Sequence, residues 1–303
     1  MITRDPQAFF DFARECAPAD GRATARAAFL VSPEAFSLAE QSASDNRYMD
    51  LGVGVDPARA LAQHQALQRA MSETLPTWCF PGRADTPDAV FPNNVFATAN
   101  RRLVLGHMRH PVRQAEARRV DIRGFFRDLL GYGEIDLGAQ PGICELTGSL
   151  IIDHQRRVGY CGLSERCDAR GAEAMHAAFG LRASLLFDLA QGEYHTNVVL
   201  SVLAGRAVVV APDGFADPSV AEAIAAFYAP HALVLDRARK LAFAANCLAL
   251  APDQVWISQA GADALDPDDH ERLGRAGFSI MALELDELEK AGGSLRCCVA
   301  EVY

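Results

Sequence analysis

NVFATANRRLVLGHM, residues 94–108, is two short runs of β-branched and apolar residues parted by a polar turn, the pattern of a β-hairpin. RQAEARRVDIRGFFRDLLG (113–131) follows with helical spacing and a glycine stop, and EIDLG (134–138) reads as a short strand. The same order then returns. GSLIIDHQRRVGYCGLS (148–164) predicts a hairpin, DARGAEAMHAAFG (168–180) a helix and ASLLFDLA (183–190) a strand. NVVLSVLAGRAVVVA, DPSVAEAIAAFYA and ALVLD, within 197–236, make a third unit. CLALAPDQVWISQA, DPDDHERLGRAG and FSIMALEL, within 247–285, make a fourth. Asp217-Pro218 and Asp266-Pro267 supply an N-cap followed by proline at the first helical position, which supports two of the helix starts independently.

A fifth unit is divided between the ends of the chain. SLRCCVAEVY (294–303) supplies its first strand, and ARAAFLVSPEAF (25–36), PARALAQHQALQRAM (57–71) and TWCFPG (77–82) supply the rest. Pairing the last strand with the first closes a ring and removes exposed sheet edges. The expected fold is therefore an α/β propeller of five ββαβ modules around a central channel. All 303 residues form one domain, with residues 1–25 as an N-terminal extension.

Composition narrows the function classes. Half the residues are hydrophobic, 22% are charged and the formal net charge is −10, a globular balance that gives nucleic acid no basic surface to bind. No apolar run is long enough to cross a bilayer, and the acidic N-terminus lacks the core of a secretory signal. Eight cysteines without a CxxC pair read as reduced thiols of a cytoplasmic protein and not as a zinc site. No phosphate-binding loop of the GxxxxGK[ST] type is present, so neither a nucleotide nor another cofactor is expected, and no metal. A small-molecule substrate is the expected partner, and a homodimer is an assembly open to such a chain.

One polar residue opens each unit: Asn94, Glu145, His195, Asn246 and Cys297, separated by 51, 50, 51 and 51 residues. Equivalent positions in a ring of modules face one another, so this register brings a Glu, a His and a Cys to one end of the channel. Cysteine attacks as thiolate and needs a proton acceptor. Histidine titrates near neutrality and a carboxylate can orient it. Cys297 follows the Gly292-Gly293 turn, where backbone can approach a ligand closely. Alternation along a strand sends its neighbour Cys298 into packing. A zinc site from the same Cys, His and Glu has too few ligands.

TPDAVFPNNVFAT (86–98), ELTGS (145–149), YHTN (194–197) and GGSLRC (292–297), in this order on a fivefold pattern, resemble the guanidino-group-modifying superfamily. The resemblance runs from about Phe29 to the C-terminus. It implies the pentein propeller, a nucleophilic Cys297, an acid/base His195 and a partner Glu145. It also implies attack of the thiolate on the central carbon of a guanidino or ureido group, followed by hydrolysis of a covalent thio-intermediate with release of ammonia. Asp88 and Asn94 stand where dimethylarginine hydrolases of the superfamily carry two aspartates. His195-x-Asn197 replaces its frequent His-x-Asp. With Asn93 adjoining Asn94, the pocket loses negative charge, and an amide suits a neutral polar group better than a cation. A citrulline-type or arginine-type amino acid is thus the expected substrate. Arg166 in GLSERCD and Arg47 in ASDNRYMD are candidates to hold its carboxylate, and Asn246 a further contact. An amidinotransferase, or a propeller that only binds, are the competing readings.

Overall fold

The computed structural model describes residues 1–16 and 22–303, and its strands fall into five sheets of nearly identical plan. Outside the repeat, β1 (Ile2–Thr3) precedes a helix over Pro6–Glu15. The repeat begins with β2 (Ala27–Val31), the helix Pro57–Thr74 and β3 (Thr77–Phe80). The second blade holds β4 (Phe96–Ala99), β5 (Arg102–Leu105) and β6 (Gly133–Asp136), and the third β7 (Leu150–Asp153), β8 (Val158–Leu163) and β9 (Ala183–Asp188). β10 (Leu200–Leu203), β11 (Ala207–Val210) and β12 (Ala232–Val234) form the fourth, and β13 (Leu248–Ala251), β14 (Gln254–Ser258) and β15 (Ser279–Leu283) the fifth. β16 (Ala300–Val302) returns to the first.

Within each blade the first two strands are antiparallel and the third joins parallel after a helical crossover. The split blade follows the same rule, with β16 antiparallel to β2 (Ala300 opposite Phe29) and β2 parallel to β3. The ring is closed by the two ends of the repeat, as the sequence pattern required. First strands of neighbouring blades pack side by side, β16 on β4, β7 on β10 and β10 on β13. These strands are short, apolar and almost wholly buried, because both faces meet protein, and such strands read as continuous hydrophobic runs.

The caps form as expected. Asp217 accepts from the Ser219 N–H, and Asp266 exchanges bonds with Asp269 in a capping box, each with proline at the helix start. Such caps contribute about 1 kcal/mol each. β1 adds to the third blade beside β9, and Phe9 of the first helix packs edge-on against Tyr160 at 5.3 Å. None of the helices described is long and apolar enough to cross a membrane.

Candidate active site

The five register residues lie just ahead of the first strands, not on them. Asn94 ends a single 3-10 turn (Pro92–Asn94), Glu145 and His195 precede the turns Leu146–Ser149 and Thr196–Val198, and Cys297 lies inside the turn Leu295–Cys298. Pro92 is the sequence signal for the first of these, since proline starts a helical turn and cannot donate to a ladder. Each turn folds the polar side chain over the end of the channel and releases the chain into an apolar strand. This corrects the strand-alternation reading of Cys298. Cys298 is fully buried in the same apolar cluster as Leu295 and Val299, placed there by a helical turn.

Register becomes contact at these turns. His195 Nε2 lies 2.9 Å from Glu145 Oε2, and both side chains are fully buried. The sulfur of Cys297, also buried, accepts from Asn246 Nδ2 at 3.4 Å and from Asn197 Nδ2 at 3.5 Å. Asn246 also donates to the Asn197 carbonyl at 2.8 Å, tying the two amides together. Asn197 and Asn246, expected to hold substrate, therefore address the thiol in this structure. The other ring nitrogen of His195, Nδ1, has no hydrogen-bond partner among the described residues. Gly148 makes the crowding possible: a Cβ there would lie 2.7 Å from Asn94 Oδ1 and 2.8 Å from His195 Nδ1.

Electrostatics follow from burial. Burial opposes the charge on Glu145, but Arg166 and the hydrogen-bonded His195 outweigh it and hold the carboxyl well below its usual range. His195 is pushed down by burial, with Glu145 only partly restoring it, so the imidazole is neutral at rest. Burial pushes the Cys297 thiol up, against the Ser294 backbone and the two amides. The resting site thus holds a thiol, a neutral imidazole and a carboxylate. A cation beside the sulfur would favour the thiolate.

The space around Cys297 is bounded by Asp88, Asn94, Arg113, Arg166 and Tyr194, and on its other side by Ser42, Asn46 and Met49. Its volume is about 20 Å³, room for little more than a water. Ser42 donates to Asp88, Asn46 reaches the Ala291 carbonyl at 3.3 Å, and Tyr48 donates to Glu193 at 2.6 Å. Ser42, Asn46 and Met49 of residues 42–49 therefore wall the space at Cys297.

Two of the expected carboxylate anchors are placed differently. Arg166 lies at the site, but its Nε is 2.9 Å from both Asp45 oxygens, Nη2 reaches the Ser42 carbonyl at 3.0 Å and Nη1 reaches Glu145 at 3.2 Å. Its fork is filled by a carboxylate of the covering segment. Arg47 belongs to that segment but lies 3.4 Å from Glu193 and does not line the space at Cys297. Asn93 is buried outside that space with both side-chain polar atoms unpartnered, while its carbonyl accepts from Thr147 at 3.0 Å.

Arg113 is the residue that sequence reasoning missed. Only 3% exposed, it lines the space at Cys297, donates to the Phe91 carbonyl at 3.0 Å and lies 2.7 Å from Glu116. That Glu116 contact is coulombic, since neither atom reaches hydrogen-bond geometry. An Arg and a Glu three apart on a helix usually mark a solvated pair, so nothing in the sequence singled it out.

The chain and its fold are similar to known proteins. The chain is 26% identical over 283 residues to the N(G),N(G)-dimethylarginine dimethylaminohydrolase of Mycobacterium tuberculosis, covering 91% of this chain and 85% of that protein. Its fold superposes on the N-terminal domain of ArgZ, an arginine dihydrolase from the ornithine–ammonia cycle in cyanobacteria, with a TM-score of 0.79 at 20% identity over 91% of this chain and 97% of that one. A dimethylarginine dimethylaminohydrolase bearing an S-methyl-L-thiocitrulline adduct superposes with a TM-score of 0.69 at 20% identity, over 92% of this chain and 100% of that one. The family described as N,N dimethylarginine dimethylhydrolase, eukaryotic, matches residues 32–303, and the chain belongs to that family of guanidino-group-modifying hydrolases on the pentein propeller.

Proposed function

We propose that this protein hydrolyses the guanidino or ureido group of an arginine-type or citrulline-type amino acid, with Cys297 as nucleophile. The single observation that carries the substrate choice is Asn94. It is buried beside Asp88 at the cavity that Cys297 lines, so one carboxylate and one amide face the reacting group. One carboxylate offers a charge-assisted bond to a guanidinium, and the amide both donates and accepts, as a neutral ureido group requires.

In the first half-reaction the thiolate adds to the central carbon, the carbon–nitrogen bond breaks, and His195 returns the thiol proton to the departing amine. In the second, His195 takes a proton from water as it adds to the thio-intermediate, and the carbon–sulfur bond breaks to free the thiol. Neutral histidine beside a fixed carboxylate suits both transfers. Arg113 replaces Arg47 as the candidate for the substrate carboxylate, and Arg166 serves once Asp45 leaves it.

Dimethylarginine is the second reading, favoured by family membership. Ammonia and dimethylamine release from arginine, citrulline, agmatine, succinylarginine and dimethylarginine, beside Cys297→Ala, tests both. Ammonia from citrulline or arginine, lost in the variant, is expected. Dimethylamine from dimethylarginine alone overturns the argument from Asn94. Amidino transfer to added glycine in place of hydrolysis would make the protein a transferase.

A further inference from the structure

A cleft larger than the space at Cys297 lies elsewhere. It is open to solvent, holds about 520 Å³ and is lined by the exposed Arg22, Arg26, Arg101 and Arg157 together with Trp78 and Tyr132. Ligand pockets for drug-sized molecules fall in this range. Its lining comes from the far ends of the strands that the catalytic turns launch: the β4–β5 turn (Asn100, Arg101), the β7–β8 turn (His154, Arg157) and the end of β16 (Val302, Tyr303). At about 3.3 Å per residue, a four-residue strand puts it roughly 13 Å from the catalytic turns.

Three observations point to an anion. First, the chain carries 39 acidic and 29 basic residues, yet among the described residues four arginines and no Asp or Glu side chain line this space. Second, Arg22, Arg26 and Arg101 form no ion pair among the described residues, and the Arg157 guanidinium meets only the Gly180 carbonyl, at 2.5 Å. Third, Arg101 (φ 58°) and Arg157 (φ 56°) both stand in the left-handed region that favours glycine or asparagine. Backbone preference did not select arginine at either turn, and strained positions of this kind gather where a side chain has work to do.

Much of the rest of the wall is aromatic or aliphatic, with Thr98, Asn100 and His154 as polar members. His154 stacks on Tyr303 with centroids 3.6 Å apart, and no hydrogen bond engages the imidazole among the described residues. Trp78, Tyr132 and Phe179 add further ring faces. Arginine forks bind phosphate bidentately and stack on flat groups.

We propose that this cavity is a second ligand site, for a small organic phosphate carrying a flat ring, of which a nucleoside diphosphate is one form. The phosphates engage Arg26, Arg101 and Arg157, and the ring lies against the aromatic wall. No phosphate-binding loop is needed, because the guanidinium groups supply the donors.

Calorimetric titration of the whole protein with ADP, pyrophosphate and adenosine tests it. The expected result is that ADP binds, that pyrophosphate binds more weakly and adenosine not at all. The affinity for ADP falls at least about tenfold in Arg101→Asn/Arg157→Asn, since each lost charge-assisted bond is a large fraction of such an interaction. Asparagine suits both backbone positions, and Arg26→Gln, which leaves the hairpins untouched, must show the same direction. Cys297→Ala binds ADP like the parent. Absence of heat with both ADP and pyrophosphate overturns the site. So does ADP binding that survives the arginine variants or protects Cys297 from alkylation. Pyrophosphate binding as tightly as ADP overturns the ring half of the proposal. Arginine variants that melt lower without gaining any ADP dependence assign these side chains to the fold, for instance opposite the main-chain carboxylate of Tyr303.

Discussion

Asn246 donates its side-chain N–H to the sulfur of Cys297 at 3.4 Å, and through a second bond it also fixes the Asn197 backbone. The thiol is buried and pushed up, so these amides are the neutral groups that hold its reactive form within reach. Asn246→Ala is expected to raise the thiol pKa by about one unit, the worth of one modest hydrogen bond to a charge. Asn246→Asp should raise it further, because a carboxylate repels the thiolate. Alkylation of Cys297 by iodoacetamide, followed against pH, reads both. A thiol in Asn246→Ala that reacts like the parent's would remove Asn246 from this role.

Gly148 is the only residue type that fits between Asn94 and His195. In Gly148→Ala the added methyl would meet Asn94 Oδ1 at 2.7 Å and the His195 ring at 2.8 Å. The His195 imidazole, the proposed acid/base, is then displaced by an ångström or so, and displacement on that scale costs about a hundredfold in rate. Turnover should fall by that order while the far-UV spectrum stays parental.

The covering segment is latched by Tyr48 on Glu193. Tyr48→Phe leaves Glu193 paired with Lys240 at 2.7 Å but releases the segment. A hydrogen bond to a charged group is worth roughly 1.5–3 kcal/mol, so the closed state loses about tenfold or more in population. KM should rise by that factor with kcat unchanged or higher, since opening releases product. A fall in kcat at constant KM would show that the segment shapes the chemistry and not the entry.

Acid stability follows from buried histidines. His64, in the helix Pro57–Thr74, is lowered to about 4 by burial, against a backbone hydrogen bond to Val31, and His195 is lowered in the same sense. Below about pH 6.5 the unfolded chain binds protons that the folded one refuses, so stability is full above that pH and is lost as pH falls toward 4. His64 alone accounts for about 3 kcal/mol over that window. Glu116, raised to about 8 by burial despite Arg113, acts oppositely and loses its contribution as pH rises through about 8. Urea midpoints of parent and His64→Gln should converge between pH 7 and pH 5. Parallel curves would show that the His64 shift is absent.

Five modules were legible because each carries its own strand period and, in three, its own Asp-Pro cap, Asp56-Pro57 among them. Ring closure followed from the one fragment at each end that had no partner. The Cys, His and Glu stood out through their shared register together with the short segments GGSLRC, YHTN and ELTGS that hold them. The covering segment was legible only as polar: Ser42, Asp45, Asn46 and Tyr48 act through residues more than 40 positions away, and no local period records such pairings. Arg166 kept its place at the site but not its freedom, because Asp45, which fills its fork, lies 121 residues earlier.

The proposed nucleophile, Cys297, rides on a pairing between the two ends of the repeat. β16 is three residues long and meets β2 in the register Ala300–Phe29, so Cys297 is placed only after the two ends of the repeat have found each other. Pairings this distant in sequence form late, because loop closure must come first. Local opening of that short strand parts the sulfur from Asn246 while four other blades keep their sheets. The catalyst therefore goes silent at a milder denaturant concentration than the one that melts the propeller, and it regains its voice last on refolding.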